Sequence, residues 1–397
     1  MTVALINSLG SKPTSTESPT EYSCSQMRRL LNRRNAVTLG AIAGARNLRE
    51  AAKVPPTYIT LDITWACPLS CRDCVDRTSR DGQPVIRTQR CVDPLHPVSK
   101  TDRHTQLPIE AVRSTVEFAK AHGLLVQMMG GETLFHPAID EVLDCFASNR
   151  VPCEIVSNGL LVEAHAEPLV KAITTERSTF RVSFNGWHSL GERMGYPGSS
   201  EPIRTQILRG LDALVGGLPE HRRGSVFVTI VAFPDALRDL GEIVSHVAKA
   251  GVRQVAIIPQ RHPIEKTSIG GHEQGRQVVH NLQKQHSGVL ITCADDVYSM
   301  PTAKPTFSFC PAALLKMIVG ADGYLYTCTD HRGSEYARLV HLSDYDWNLE
   351  QAWNSEERLR NAFSFSPEFR CCDLDCKRVN ALSWLYYLLQ DYHIETF

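Results

Sequence analysis

Between Tyr58 and about Tyr298, short runs rich in β-branched residues alternate with stretches whose apolar residues recur at helical spacing. The runs Tyr58–Ile63, Leu124–Met129, Cys153–Ser157, Phe180–Phe184, Val226–Val231, Val255–Ile258 and Val289–Thr292 have the length and composition of strands. Helical patterns lie between them, among them Pro108–Ala121, Ile139–Ser148, Glu201–Gly216 and Leu237–Ala250. A parallel neighbour is reached only through a crossover, so this alternation predicts βαβ units and a parallel sheet, closed partly or fully into a barrel. Chemistry in such barrels sits at the C-terminal ends of the strands.

The alternation stops after Tyr298. Met300–Phe397 carries short β-like runs, Lys316–Val319 and Tyr324–Thr327, and a Trp/Tyr-rich terminal helix, Leu382–Asp391. This region is expected to be a small α+β module. At the other end, residues 1–24 are poor in large apolar groups and read as a disordered tail. Residues 25–55 read as a basic helical segment with Arg28, Arg29, Arg33, Arg34, Arg46 and Arg49 on a solvated face, ended by Pro55-Pro56. The expected organisation is therefore tail 1–24, basic segment 25–55, barrel 56–300 and C-terminal module 301–397. More than thirty residues separate Cys74 from Pro108, a loop long enough to serve as a lid or to be a solvated excursion.

Charge and composition narrow the partners. A formal net charge of -1 over 397 residues gives no reason to expect nucleic acid. No apolar run approaches a membrane span, and no secretory signal opens the chain, so a cytoplasmic location is expected. The thirteen cysteines are an odd count gathered into groups, which argues for metal or redox work over a disulfide scaffold. The scattered ones (Cys24, Cys91, Cys145, Cys153, Cys293) read by default as small buried hydrophobes.

The first group, Cys67, Cys71 and Cys74, has the spacing C-x3-C-x2-C and follows the first strand. Three thiolates are one short of closing a 4Fe-4S cluster, which leaves one iron open to a further ligand. The second strand ends in Gly130-Gly131-Glu132-Thr133, the third in Ser157-Asn158-Gly159 and the fourth in Ser183-Phe184-Asn185-Gly186. In this order on successive strands, the motifs resemble those of the radical S-adenosylmethionine (SAM) superfamily over roughly residues 56–300. Two departures are visible: Asp73 stands where an aromatic residue is common, and Thr133 where proline is usual.

The resemblance implies a partial (β/α)6-type TIM barrel. It also implies a SAM-binding 4Fe-4S cluster on Cys67, Cys71 and Cys74, and a SAM site involving Gly130, Gly131, Glu132, Ser183 and Asn185. Pro259-Gln260 would border the adenine. The implied reaction is reductive cleavage of SAM to a 5′-deoxyadenosyl radical that removes a hydrogen atom from the substrate. Electrons would come from a donor such as flavodoxin or ferredoxin. On the residues alone, glycines permit close backbone approach, and serine and asparagine suit a ribose or carboxylate. Asn158-Gly159 alone reads as an ordinary turn pair.

The second cysteine group resembles the SPASM/twitch extension of these enzymes: Cys310, then Gly323-x4-Cys328, then Cys372 and Cys376, with Cys371 either an alternate for Cys372 or a free thiol. It implies an auxiliary 4Fe-4S cluster; a four-cysteine zinc site is the rival. The leading expectation for the reaction is oxidation of a small natural-product substrate. A peptide maturase forming crosslinks is a close second, since Ser25–Lys53 is too short for a winged-helix leader-binding domain. A redox-neutral epimerase with Cys293 as hydrogen donor, Cys91 on the long loop being the second candidate, is a third reading. A non-catalytic iron–sulfur protein is the fourth.

Overall fold

A computed structural model describes residues 37–69, 71, 105–258, 271–293 and 309–365, apart from residues 39, 43, 46, 197 and 330. The barrel strands are β1 (Tyr58–Thr64), β2 (Val126–Gly130), β3 (Cys153–Ser157), β4 (Thr179–Ser183), β5 (Val226–Val231), β6 (Gln254–Ile258) and β7 (Leu290–Cys293). Helices α1 (Leu48–Lys53), α2 (Ile109–Ala121), α3 (Ile139–Asn149), α4 (Ala166–Thr174), α5 (Glu201–Gly217), α6 (Leu240–Lys249) and α7 (Gly271–Gln285) precede and connect them. Neighbouring strands from β1 to β7 all pair in parallel, as the alternation predicts.

The register sorts side chains into two faces. Ile59, Val126, Cys153, then Leu61, Met128, Ile155, Phe180, Val226 lie on connected rows of partners, and all are fully buried. Their face packs against Val112, Val116, Phe146, Leu169, Ile207 and Val247 of the surrounding helices in one apolar core. Alternation along a strand puts the intervening residues on the other, inner face. There stand the polar Thr60, Asp62, Gln127, Glu154, Arg181, Ser183 and Thr229, interspersed with the apolar Met129, Val156, Phe227, Val231, Ala256 and Ile258. Gln127 Nε2 donates to Glu154 Oε1 at 3.0 Å, and Arg181 Nη1 lies 3.4 Å from the same oxygen.

The C-terminal region does not make a sheet of its own. Its strands β8 (Lys316–Val319), β9 (Tyr324–Tyr326) and β10 (Arg338–His341) continue the barrel sheet past β1, in the order β10-β9-β8-β1-β2-β3-β4-β5-β6-β7. β8 runs parallel to β1, with Tyr58 opposite Lys316 and Leu61 opposite Val319. β8, β9 and β10 then pair antiparallel. Helices α8 (Leu349–Asn354) and α9 (Glu356–Ser364) follow.

A second apolar cluster joins Ile42, Ala51 and Ala52 of the N-terminal segment to Phe309, Cys310, Leu314, Leu315, Ile318 and Leu359. The buried Arg358 of α9 fastens this contact. Its guanidinium donates to the carbonyls of Ala52, Trp353 and Ala313 and stacks 3.9 Å over the Trp353 ring. The segment expected to be a solvated basic helix therefore buries part of one face, because Ala51 and Ala52 are small enough to seat against the C-terminal region. Arg49 stays at the surface, 3.2 Å from Glu356. Among the described residues, no helix is long and apolar enough to cross a membrane.

Candidate functional site

The end of β1 is held from both sides. Trp65 N donates to Thr105 O at 3.0 Å, Gly131 N to Thr64 O at 2.7 Å and Glu132 N to Ala66 O at 2.8 Å. The chain leading into Cys67 is thus laid directly across the end of β2. This contact explains the paired glycines. A Cβ on Gly130 would lie 2.1 Å from Thr64 O, and one on Gly131 would lie 2.3 Å from Ala66 O. Gly130 also has φ +136°, a conformation that side chains rarely permit. The space freed by the missing side chains is filled by the cysteine-bearing segment. Cys67 and Cys71 then pack, half-buried, against the main core.

Glu132 ties the ends of β2 and β3. It is 2% exposed. Its Oε1 accepts from Ser157 Oγ at 2.7 Å and Leu134 N at 3.1 Å, and its Oε2 accepts from Asn158 N at 2.7 Å. Burial raises the carboxyl pKa, opposed by the hydrogen bonds from Asn158, Ser157 and Leu134. Thr133, in the place of the usual proline, donates from Oγ1 to Val156 O at 2.8 Å and so adds a second tie to β3. Asn158 Oδ1 accepts from Leu160 N at 3.0 Å, while its Nδ2 is buried with no hydrogen-bond partner. A buried donor left unpaired costs about 1–3 kcal/mol, so its presence at a strand end points to a ligand acceptor there. The turn-pair reading missed this donor, because Glu132, which meets Asn158 at the strand ends, stands 26 positions away in the sequence.

Ser183 sits half-buried on the inner face at the end of β4. Asn185 Oδ1 accepts from Val231 N at 2.9 Å, so this asparagine fixes the loop after β4 to the end of β5. Two carboxylates missed in the sequence hold the rest of that loop. Asp239 Oδ2 accepts from the backbone N–H groups of Trp187 and His188, both at 3.0 Å. Asp235 accepts from Ser189 Oγ and from Arg193, whose Nε is 2.8 Å away and whose guanidinium stacks 3.9 Å from the Phe233 ring. Burial pushes the Asp235 carboxyl up, but Arg193 and Ser189 outweigh it and bring the pKa down to about 2.

The other predicted residues separate. Cys293 ends β7 opposite Ile257, in the same alternating row as Ile291, and packs against the helix-side core. That placement is on the side away from the barrel interior and gives the hydrogen-donor reading no support. Cys310 is buried in the second apolar cluster, and Cys328 lies half-buried two residues beyond β9. Cys153 is fully buried, its thiol pushed up to about 12 by desolvation, as suits a core cysteine. Cys74, Cys91, Cys371, Cys372, Cys376, Asp73 and Pro259-Gln260 lie outside the described residues.

The residues in place suit an iron–sulfur cluster with a ligand beside it. Soft thiolates on a segment pinned to two strand ends match cluster ligation. The unpaired Asn158 donor matches a ligand that offers an acceptor.

No protein-family profile and no curated protein matches this sequence. Among solved structures, the chain is similar to Streptococcus suis SuiB bound to S-adenosylmethionine, at 16% identity and a TM-score of 0.52, over 78% of this chain and 68% of that one. It is similar also to SuiB bound to the precursor peptide SuiA, at 14% identity and a TM-score of 0.53, over 89% of this chain and 75% of that one. At these identities the likeness establishes a shared fold.

Proposed function

We propose, for a chain that has the fold of the radical SAM enzymes, that it cleaves SAM reductively and uses the resulting radical to abstract a hydrogen atom from its substrate. The observation that carries this reading is the seating of the Cys67/Cys71 segment on the Gly130-Gly131-Glu132 end of β2. When bound there, a 4Fe-4S cluster and SAM supply the one-electron chemistry, and the protein supplies position and exclusion of solvent. Cys67, Cys71 and Cys74 would hold the cluster. The backbone around Gly130 and Gly131, Asn158 Nδ2, Ser183 and Asn185 would hold SAM, with Glu132 acting on it through Ser157 and Asn158. Cys310, Cys328, Cys372 and Cys376 would ligate an auxiliary 4Fe-4S cluster, and a flavodoxin- or ferredoxin-type protein would supply electrons.

The substrate reading now favours a peptide over a small natural product. The observation behind the change is the similarity over 89% of this chain to SuiB holding its precursor peptide. Crosslinking of a ribosomal peptide is the reaction that this favours, and oxidation of a small molecule becomes the second reading.

Anaerobic reconstitution of wild type and of the Cys67/Cys71/Cys74→Ala triple variant tests the proposal. Iron content, EPR of the reduced protein and 5′-deoxyadenosine formed from SAM are the readouts. Two clusters in wild type, one in the variant and SAM cleavage by wild type alone are expected. A single cluster in wild type would make zinc the better reading of the C-terminal cysteines. No cleavage by wild type would leave a non-catalytic iron–sulfur protein.

A further inference from the structure

On the inner face of β1, Asp62 is completely buried, and its Oδ2 lies 2.7 Å from Nε of Arg332, itself 4% exposed. The same oxygen accepts from Trp65 Nε1 at 3.2 Å. Asp62 and Trp65 belong to the strand and turn that lead into Cys67. Arg332 belongs to the turn that follows Cys328. That turn is closed on itself: His331 N donates to Cys328 O at 3.2 Å, Ser334 N to His331 O at 3.0 Å and Arg332 Nη1 to Thr329 O at 3.2 Å. His331 Nδ1 and the Tyr336 hydroxyl are 2.9 Å apart and brace it further. The ion pair thus joins the two cysteine-bearing segments, its two members being 270 positions apart in the chain.

We infer that Asp62 and Arg332 are a positioning pair: they dock the Cys328 turn on β1 and set the charge felt at the cluster held by Cys67. The inference rests on the cluster reading above. Three physical points support it. A buried ion pair contributes little net stability against an apolar replacement, so stability alone does not account for one here. Charges inside the protein are screened far less than surface charges, so a pair on the cluster-bearing strand acts on the cluster. Cys67 stands five positions after Asp62, and Cys328 four positions before Arg332, which puts each cysteine α-carbon within about 18 Å of its pair member's. Net charge is one of the levers that sets an iron–sulfur potential.

The test uses Asp62→Asn, which keeps the size, and Arg332→Gln, which removes the charge while keeping a polar side chain, with Arg332→Lys to keep the charge. The midpoint potential of the Cys67-ligated cluster is measured at pH 8 by EPR-monitored titration of the reconstituted protein. Asp62→Asn makes the site one charge more positive and should raise the potential; Arg332→Gln makes it more negative and should lower it; Arg332→Lys should stay near wild type. Amide hydrogen exchange at His331 and Ser334 should quicken in both neutral variants, and it reads docking without any cluster. Shifts of the same sign in both neutral variants, or none, would overturn the electrostatic role; unchanged exchange would overturn docking. A wild type that takes up no iron would instead fail the cluster reading itself.

Discussion

Glu132 Oε2 accepts the backbone N–H of Asn158 at 2.7 Å while its Oε1 accepts the hydroxyl of Ser157, also at 2.7 Å, so one buried carboxylate knits the mouths of two adjacent strands. Glu132→Gln keeps the size but leaves a single carbonyl oxygen, so at least one of the three donors now served loses its acceptor. A loss of about 1–3 kcal/mol is expected, measured by urea unfolding of the apo protein. An unchanged midpoint would mean that the glutamate does not hold these strand ends.

Gly131→Ala separates room from conformation, because φ at Gly131 lies outside the left-handed region while its missing Cβ would meet Ala66 O at 2.3 Å. Backbone must move to admit the methyl group, and the backbone that moves carries Cys67. The variant is expected to keep its far-ultraviolet circular dichroism and to bind well under half the wild-type iron at the Cys67 cluster, a rough expectation for a displaced ligand.

Asn158→Asp keeps an oxygen for Leu160 N and removes the unpaired Nδ2 donor. Losing one ligand hydrogen bond and gaining a negative charge should weaken SAM binding at least about tenfold, or 1.4 kcal/mol. Equilibrium dialysis with labelled SAM on the reconstituted protein checks this. Equal affinity would place the donor away from the ligand.

Asp235 gives a pH prediction. Its folded pKa, about 2, lies below the ordinary 3.8. A depressed carboxyl contributes stability that is full above the unfolded value and is lost as pH falls through the folded one. Discounted for partial exposure, the effect is about 1 kcal/mol between pH 5 and 2. Thermal melts should show Asp235→Asn less stable than wild type at pH 6, with the gap closing toward pH 2.

The strands of the barrel were legible because β-branched runs bounded by turns need no distant partner to be recognised. β3, Cys153–Ser157, has the expected bounds, and β5, Val226–Val231, likewise. β2 was expected at Leu124–Met129 and stands at Val126–Gly130, displaced because the first glycine is drawn into the pairing with Thr64. Helix α7 was not readable as amphipathic, its sequence Gly-His-Glu-Gln-Gly-Arg-Gln carrying no apolar residue before Val278. The glycines of the second motif were noticed, but their neighbour was not: the close approach is made by Thr64–Ala66. Contacts such as Arg193 with Asp235, and Arg358 with the Ala52 carbonyl, join positions that only the folded chain brings together.

Since β8 pairs with β1 across more than 250 residues, the strand that presents Cys67 acquires its second neighbour only after Lys316–Val319 has left the ribosome. Domains otherwise fold largely from the N-terminus as they are made. Until then the β1 edge stays bare, and a nascent chain stopped near residue 300 would carry Tyr58–Leu61 as an unprotected strand edge.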